Sequence, residues 1–129
     1  MAEVKKFLII DDEDSIQSIL SAFLQRYADS KGFPCEIKTL SDPIQGLFEL
    51  SSSGAFYSAV LLDVRLPNLT GDAIYTSMES VQPDLLERIT FVTGFPEDLR
   101  GIFPNRKLKI LKKPFRYETF ATAMDEVIK

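Results

Sequence analysis

Histidine is missing from this 129-residue chain, and cysteine occurs once, at Cys35. These two absences exclude an intramolecular disulfide, any multi-cysteine cluster, and the usual ligand sets for zinc, copper and haem. A lone thiol suits a reducing cytosol, so a cytoplasmic location is expected. Long apolar runs are missing as well. The amino terminus offers only four consecutive apolar residues, Phe7 to Ile10, before four acids, too few for a membrane span or a signal-peptide core. A soluble protein with no membrane association is expected. With no internal repeat, low-complexity tract or linker, residues 1–129 should form a single domain, long enough to bury roughly two-thirds of its unfolded surface.

What is present is ordinary in amount and unusual in placement. The hydrophobic share of 45% against 26% charged residues supplies a core and gives no reason to expect disorder. The net charge of −4 disfavours direct nucleic-acid binding. Asp11, Asp12, Glu13 and Asp14 stand in a row, whereas Arg100, Arg106, Lys107, Lys109, Lys112, Lys113 and Arg116 occupy a stretch without any acid. That basic stretch reads either as solvated charge guarding an edge strand or as a surface for an acidic partner.

Phe7-Leu8-Ile9-Ile10 reads as a short buried strand. The acids after it open a helix whose positions Ile16, Ile19, Leu20, Phe23, Leu24 and Tyr27 keep the spacing of one inward face. Asp14 with Gln17 resembles a capping box. After a turn over 29–34, Cys35 to Leu40 reads as an outer strand with Ile37 and Leu40 inward. Ser41-Asp42-Pro43 starts a second helix, capped at 41 or 42, with proline at its first position. Ile44, Leu47 and Phe48 are its expected inner face and Gly54 its C-cap. Ala59 to Leu62 is an apolar run ending on Asp63, the pattern of a strand buried on both faces of a parallel sheet. A helix follows from Gly71 or Asp72, with Ile74, Met78 and Val81 inward, and stops before Pro83. A strand over Ile89 to Thr93 precedes a helix opened by Pro96 and interrupted by Gly101 and Pro104, about two turns long. A strand over 108–111 and a helix carrying Tyr117, Phe120, Met124, Val127 and Ile128 on one side complete the chain.

Five strands thus alternate with helices at spacings that suit right-handed parallel crossovers, an α/β class with helices on both faces of the sheet. Periodicity leaves the strand order open but places the polar residues. Asp11 and Asp12 end the first strand, Asp63 the third, Thr93 the fourth and Lys113 the fifth, and the carboxyl ends of parallel strands are where such sheets build sites. Taken singly, each has a plain structural role: helix-start acids, a turn-capping carboxylate, a strand-end hydroxyl, a lysine guarding an edge. Their coincidence at one edge favours a shared site. Two carboxylates about 4 Å apart at an effective dielectric of about 20 repel by roughly 4 kcal/mol, so three need the compensation that a divalent cation supplies. With oxygen ligands only, Mg²⁺, or Mn²⁺ in its place, is the expected ion. A cation with open positions, an ammonium and a hydroxyl beside a nucleophilic carboxylate suit a phosphoryl group, whose transfer is mostly positioning and charge neutralisation.

Four segments in order, Phe-Leu-Ile-Ile-Asp-Asp at 7–12, Leu-Leu-Asp-Val-Arg-Leu-Pro-Asn-Leu-Thr-Gly at 61–71, Val-Thr-Gly at 92–94 and Lys-Lys-Pro-Phe at 112–115, resemble the receiver domain of two-component response regulators over nearly the whole chain. The resemblance implies a flavodoxin-like, doubly wound, five-stranded parallel sheet of order 2-1-3-4-5 with five helices. It implies that Asp63 accepts a phosphoryl group from a phosphohistidine of a sensor histidine kinase or histidine phosphotransfer protein, shifting the domain between inactive and active conformations. Asp12, Asp63 and the backbone carbonyl of Arg65 would hold Mg²⁺, with Asp11 assisting through water. Lys113 would pair with the phosphoryl oxygens, Thr93 would hydrogen-bond one of them, and Lys113-Pro114 would be cis. Such a chain is a signalling domain, not an enzyme in its own right. Its output partner is not named by the sequence, and a phosphorylation-dependent homodimer is compatible with it.

Arg65 and Phe95 occupy places that line the approach to the phosphoryl group in receivers, and are expected to slow water attack. Ile110 stands three residues before the matching lysine, where the family often has an aromatic switch, and the shortened fourth helix departs from the family's common output face. Two other readings compete. A receiver-like interaction module that works without phosphorylation is opposed by the intact acids, threonine and lysine. A phosphohydrolase of the haloacid dehalogenase type would use Asp12 in Asp12-Glu13-Asp14, but Ile16 stands where that family has threonine. A flavin-binding module fits less well, because acids end the first strand in place of a phosphate-cradling loop.

Overall fold

The run Ala-Val-Leu-Leu-Asp forms a strand, β3 (Ala59–Asp63), in which every residue is buried. Having no polar side chain until its last position, β3 needs cover on both faces and a strand on each side. The computed structural model, which describes residues 3–128, supplies both. β1 (Lys5–Ile10), β2 (Cys35–Leu40), β4 (Ile89–Thr93) and β5 (Ile110–Lys112) join β3 in one parallel sheet of order β2-β1-β3-β4-β5. This is the flavodoxin-like order implied by the resemblance. Five α-helices cover the sheet: α1 (Asp14–Lys31), α2 (Pro43–Ser53), α3 (Gly71–Val81), α4 (Pro96–Ile102) and α5 (Tyr117–Val127).

Alternation along the strands makes two cores. On one face Leu8, Ile10, Val60, Leu62 and Phe91 meet Leu50 of α2, Ile74, Tyr75 and Met78 of α3, and Leu99 of α4. On the other, Phe7, Ile9, Leu61, Val92 and Leu111 meet Leu20, Leu24 and Tyr27 of α1 and Phe120 and Met124 of α5.

Several local expectations are corrected. The residue before α1 is Glu13 and makes no side-chain cap. Gln17 donates to the Asp11 carbonyl at 2.6 Å and to the Ser41 hydroxyl at 2.9 Å, so no capping box with Asp14 forms. Gln17 ties the loop after β1 to the loop after β2. α1 also runs on through 29–31, which the sequence suggested as turn, and ends at Gly32 with a φ of 80°. α2 starts as expected, with the Asp42 carboxylate accepting from the Ile44 amide at 3.0 Å and Pro43 in the first turn. Its inner face is only partly the expected one: Leu47 packs against the core, but Ile44 and Phe48 are 47% and 70% exposed, while Pro43, Gly46 and Leu50 are buried. Gly46 explains the rotation, since a Cβ there would stand 2.8 Å from Ile10 Cδ1. Turning the glycine toward the sheet lets the helix lie close and sends 44 and 48 outward. Ile19 and Val81 likewise face solvent, and Tyr75 is buried instead, its ring 5.2 Å from that of Phe91.

α4 is the short helix expected. The segment after it takes up residues 108 and 109, so β5 begins later than the sequence suggested. Arg106 pins this segment to α3 by pairing with Glu79 while its guanidinium lies over Tyr75 and Phe103. The Lys113–Pro114 peptide is cis.

Candidate functional site

Strand ends bring the polar residues together. Asp11 and Asp12 follow β1, Asp63 ends β3, Thr93 ends β4 and Lys113 follows β5. Carboxylate oxygens of Asp11, Asp12 and Asp63 all lie within 4.8 Å of one another. The Lys113 ammonium stands 3.1 Å from Asp11, 3.6 Å from Asp63 and 3.4 Å from Glu13. Asp11 and Asp63 are only 1% and 5% exposed, whereas Asp12 faces solvent at the mouth of the cluster.

The turn 64–71 is shaped by close approach. The Gly71 amide donates to the Val64 carbonyl at 2.9 Å, and a Cβ at Gly71 would fall 2.0 Å from the Asp63 carbonyl oxygen. Any side chain at 71 would push the turn off the end of β3. Asn68 takes a φ of 69° within the same turn, a conformation asparagine tolerates better than most residues. The sequence presents Gly71 as a helix start and as the end of the 61–71 segment, without the close approach that requires a glycine there.

Burial dominates the electrostatics. It pushes the Asp63 carboxyl up to about 6, aided by the charges of Asp11 and Asp12 and opposed by Lys113 and the Val64 amide. Asp11 is raised as well, since its burial outweighs the Glu13 amide, which donates to it at 2.9 Å, and the Lys113 ammonium. Burial acts against the charge on Lys113, but Asp11 and Asp63 reverse this and hold its pKa above the ordinary value. Three clustered carboxylates therefore face one ammonium. The shortfall of positive charge and an all-oxygen donor set fit a hard divalent cation.

Thr93 is buried, and its hydroxyl oxygen accepts from the Phe95 amide at 3.0 Å, which leaves its proton available to a further acceptor. The Arg65 guanidinium lies on the Phe95 ring at 3.4 Å, so the pair expected along the approach is in contact. Asp98 completes it, accepting from Arg65 Nε at 2.8 Å and Nη2 at 3.3 Å. Asp98 sits in the first turn of α4, and nothing in the sequence singles it out. Of the basic stretch, Lys113 enters the site and Arg106 pairs with Glu79. Arg100, Lys107, Lys109, Lys112 and Arg116 make no ion pair among the described residues. No described helix is long and apolar enough to cross a membrane.

No protein-family model matches the chain. It is 25% identical to the sensor kinase CckA of Brucella abortus over 123 residues, 94% of this chain and 12% of that protein. It is 28% identical to an uncharacterized response regulatory protein of Shewanella oneidensis over 122 residues, 95% of this chain and 48% of that protein. The chain thus spans less than half the length of either curated relative. Among solved structures it superposes on the receiver domain of a sensor histidine kinase from Pseudomonas aeruginosa PAO1 with a TM-score of 0.77 at 18% identity, covering 97% of this chain and 98% of that one; that domain has a magnesium ion coordinated in its active-site cleft. A response regulator receiver domain from Clostridium thermocellum superposes with a TM-score of 0.78 at 21% identity, covering 96% of this chain and 94% of that one, and the fold of these receiver domains is the fold of this chain.

Proposed function

We propose that this chain is the phosphoacceptor receiver domain of a two-component or phosphorelay system, with Asp63 taking a phosphoryl group from a phosphohistidine of a sensor histidine kinase or histidine phosphotransfer protein. The observation that carries this reading is a nearly buried Asp63, clustered with Asp11 and Asp12 and 3.6 Å from the Lys113 ammonium, in a fold whose neighbours are receivers. An Asp63 carboxylate oxygen forms the new O–P bond as the P–N bond to the imidazole breaks, and the imidazole keeps that electron pair. Asp12, Asp63 and the Arg65 carbonyl would hold Mg²⁺, or Mn²⁺, with Asp11 assisting through water. When bound, the ion neutralises charge on the phosphoryl oxygens.

Lys113 supplies a second, fixed positive charge to those oxygens. Its proton is secured by Asp11, so it acts as an ammonium throughout the physiological range. Thr93 donates its hydroxyl proton to one phosphoryl oxygen. The chain then promotes only its own phosphorylation and dephosphorylation and signals by a change of conformation. Ile110 packs against the core beside Phe91, so output does not pass through an aromatic side chain at that position.

Wild type and Asp63→Asn, incubated with acetyl phosphate and Mg²⁺ and followed by intact mass, test the reading. One phosphoryl adduct on wild type and none on the variant is expected. Equal adducts on both proteins, or none on either, overturn it.

A further inference from the structure

We propose that the Arg65–Asp98 ion pair is a latch opened by the phosphoryl group: Asp98 positions the guanidinium over Phe95 in the resting chain, and a phosphorylated Asp63 draws it away, releasing the start of α4. This rests on the phosphoacceptor reading. Arg65 lies two residues beyond Asp63, and its guanidinium is stacked on Phe95, whose amide holds the Thr93 hydroxyl. The cation therefore stands two contacts from the hydroxyl that ends β4, while its carboxylate partner belongs to the first turn of α4.

Both partners are partly open to solvent, with side-chain exposures of 56% and 29%, and exposed ion pairs are easily exchanged. A phosphoryl dianion carries more charge than the Asp98 carboxylate and accepts an arginine fork equally well, so it competes favourably for the same guanidinium. α4 is poorly secured without the pair. It has seven residues, no side-chain cap, Gly101 within it, and only Pro96 and Leu99 buried, and so short a helix has little stability of its own. Removing one of its few ties converts occupancy of Asp63 into loosening of α4, in a chain where position 110 carries no aromatic ring.

The test combines amide hydrogen exchange over Pro96–Ile102 with the half-life of the phosphoryl adduct after donor removal, when water attacks phosphorus and restores the Asp63 carboxylate and free phosphate. Phosphorylation of wild type should speed exchange across α4 severalfold. Asp98→Asn should exchange fast before phosphorylation and change little after it, and Asp98→Glu should behave like wild type. The half-lives separate positioning from simple loosening. Asp98→Asn frees Arg65 to stay on the phosphoryl group and should lengthen the half-life about twofold to fivefold, whereas Arg65→Ala should shorten it. Half-lives that move in the same direction in both variants, or an adduct that forms on wild type without altering α4 exchange, overturn the latch alone. Absence of any adduct overturns the phosphoacceptor reading and the latch with it.

Discussion

At the amino end of the sheet, Glu49 accepts from the Tyr57 hydroxyl and from Lys38 at 3.1 Å, and Asp125 accepts from the Tyr27 hydroxyl at 2.6 Å and pairs with Lys31 at 3.4 Å. Both carboxyls lie below their usual range, the hydrogen bond from the phenol being the main cause. At the carboxyl end, Asp11 and Asp63 lie above it, burial being the main cause. Both ends combine carboxylates with lysines, and the amino end adds tyrosine hydroxyls. They differ in whether the protein supplies enough donors for its own acids. Where it does, the acids fasten α2 to β2 and α5 to α1; where it does not, the acids are left able to take a cation, and this is the physical difference between a structural polar cluster and a candidate site.

Removing Lys113 should show the contrast most strongly. Lys113→Ala leaves Asp11 and Asp63 without their cation and should cost about 3 kcal/mol at pH 7 without divalent ions, measured by urea unfolding; an unaltered midpoint would show that the cluster needs no compensation.

Asp63→Asn should act in the opposite direction, stabilising the protein by on the order of 1–3 kcal/mol at pH 7. The folded carboxyl titrates near 6 against an ordinary 3.8, so between those values the folded state binds more protons than the unfolded one. Asp63 thus makes wild type lose stability as pH rises from about 4 to about 6, and the advantage of the variant should vanish below about pH 4. A constant advantage at all pH values would place its origin elsewhere.

Mg²⁺ at ten times its dissociation constant should stabilise wild type by about 1.4 kcal/mol and should leave Asp63→Asn and Asp12→Asn nearly unaffected; equal stabilisation of all three would remove the ion from this cluster. At the other end, Glu49→Gln should destabilise by about 1 kcal/mol. Since the Glu49 carboxyl is lowered on folding, its contribution is present above its unfolded value and is lost as pH falls through the folded one, so the penalty should shrink in acid. A penalty that grew in acid would erase the distinction between the two ends.

Much of this contrast was legible in the sequence, and the illegible parts share a cause. Strand-end placement of Asp11, Asp12, Asp63, Thr93 and Lys113 follows from where apolar runs stop, and parallel strands then bring those ends together whatever the loops do. Helix orientation is less accessible, because periodicity counts apolar side chains. α2 is oriented by Gly46, which has no side chain and is buried because it lets the helix touch Ile10. Gly71 is hidden in the same way, since its role is to leave room for the Asp63 carbonyl. Asp98 escaped notice because its partner is 33 residues away in sequence, a separation that only the fold closes.

Locating the phosphoryl group chemically tests the central claim most directly. After brief phosphorylation with Mg²⁺ present, borohydride reduction of the acyl phosphate and peptide mass analysis should convert Asp63, and no other acid, to homoserine. Reduction at Asp12 instead would transfer the nucleophile to the loop after β1, and reduction nowhere would deny the chain an aspartyl phosphate; either result contradicts the account.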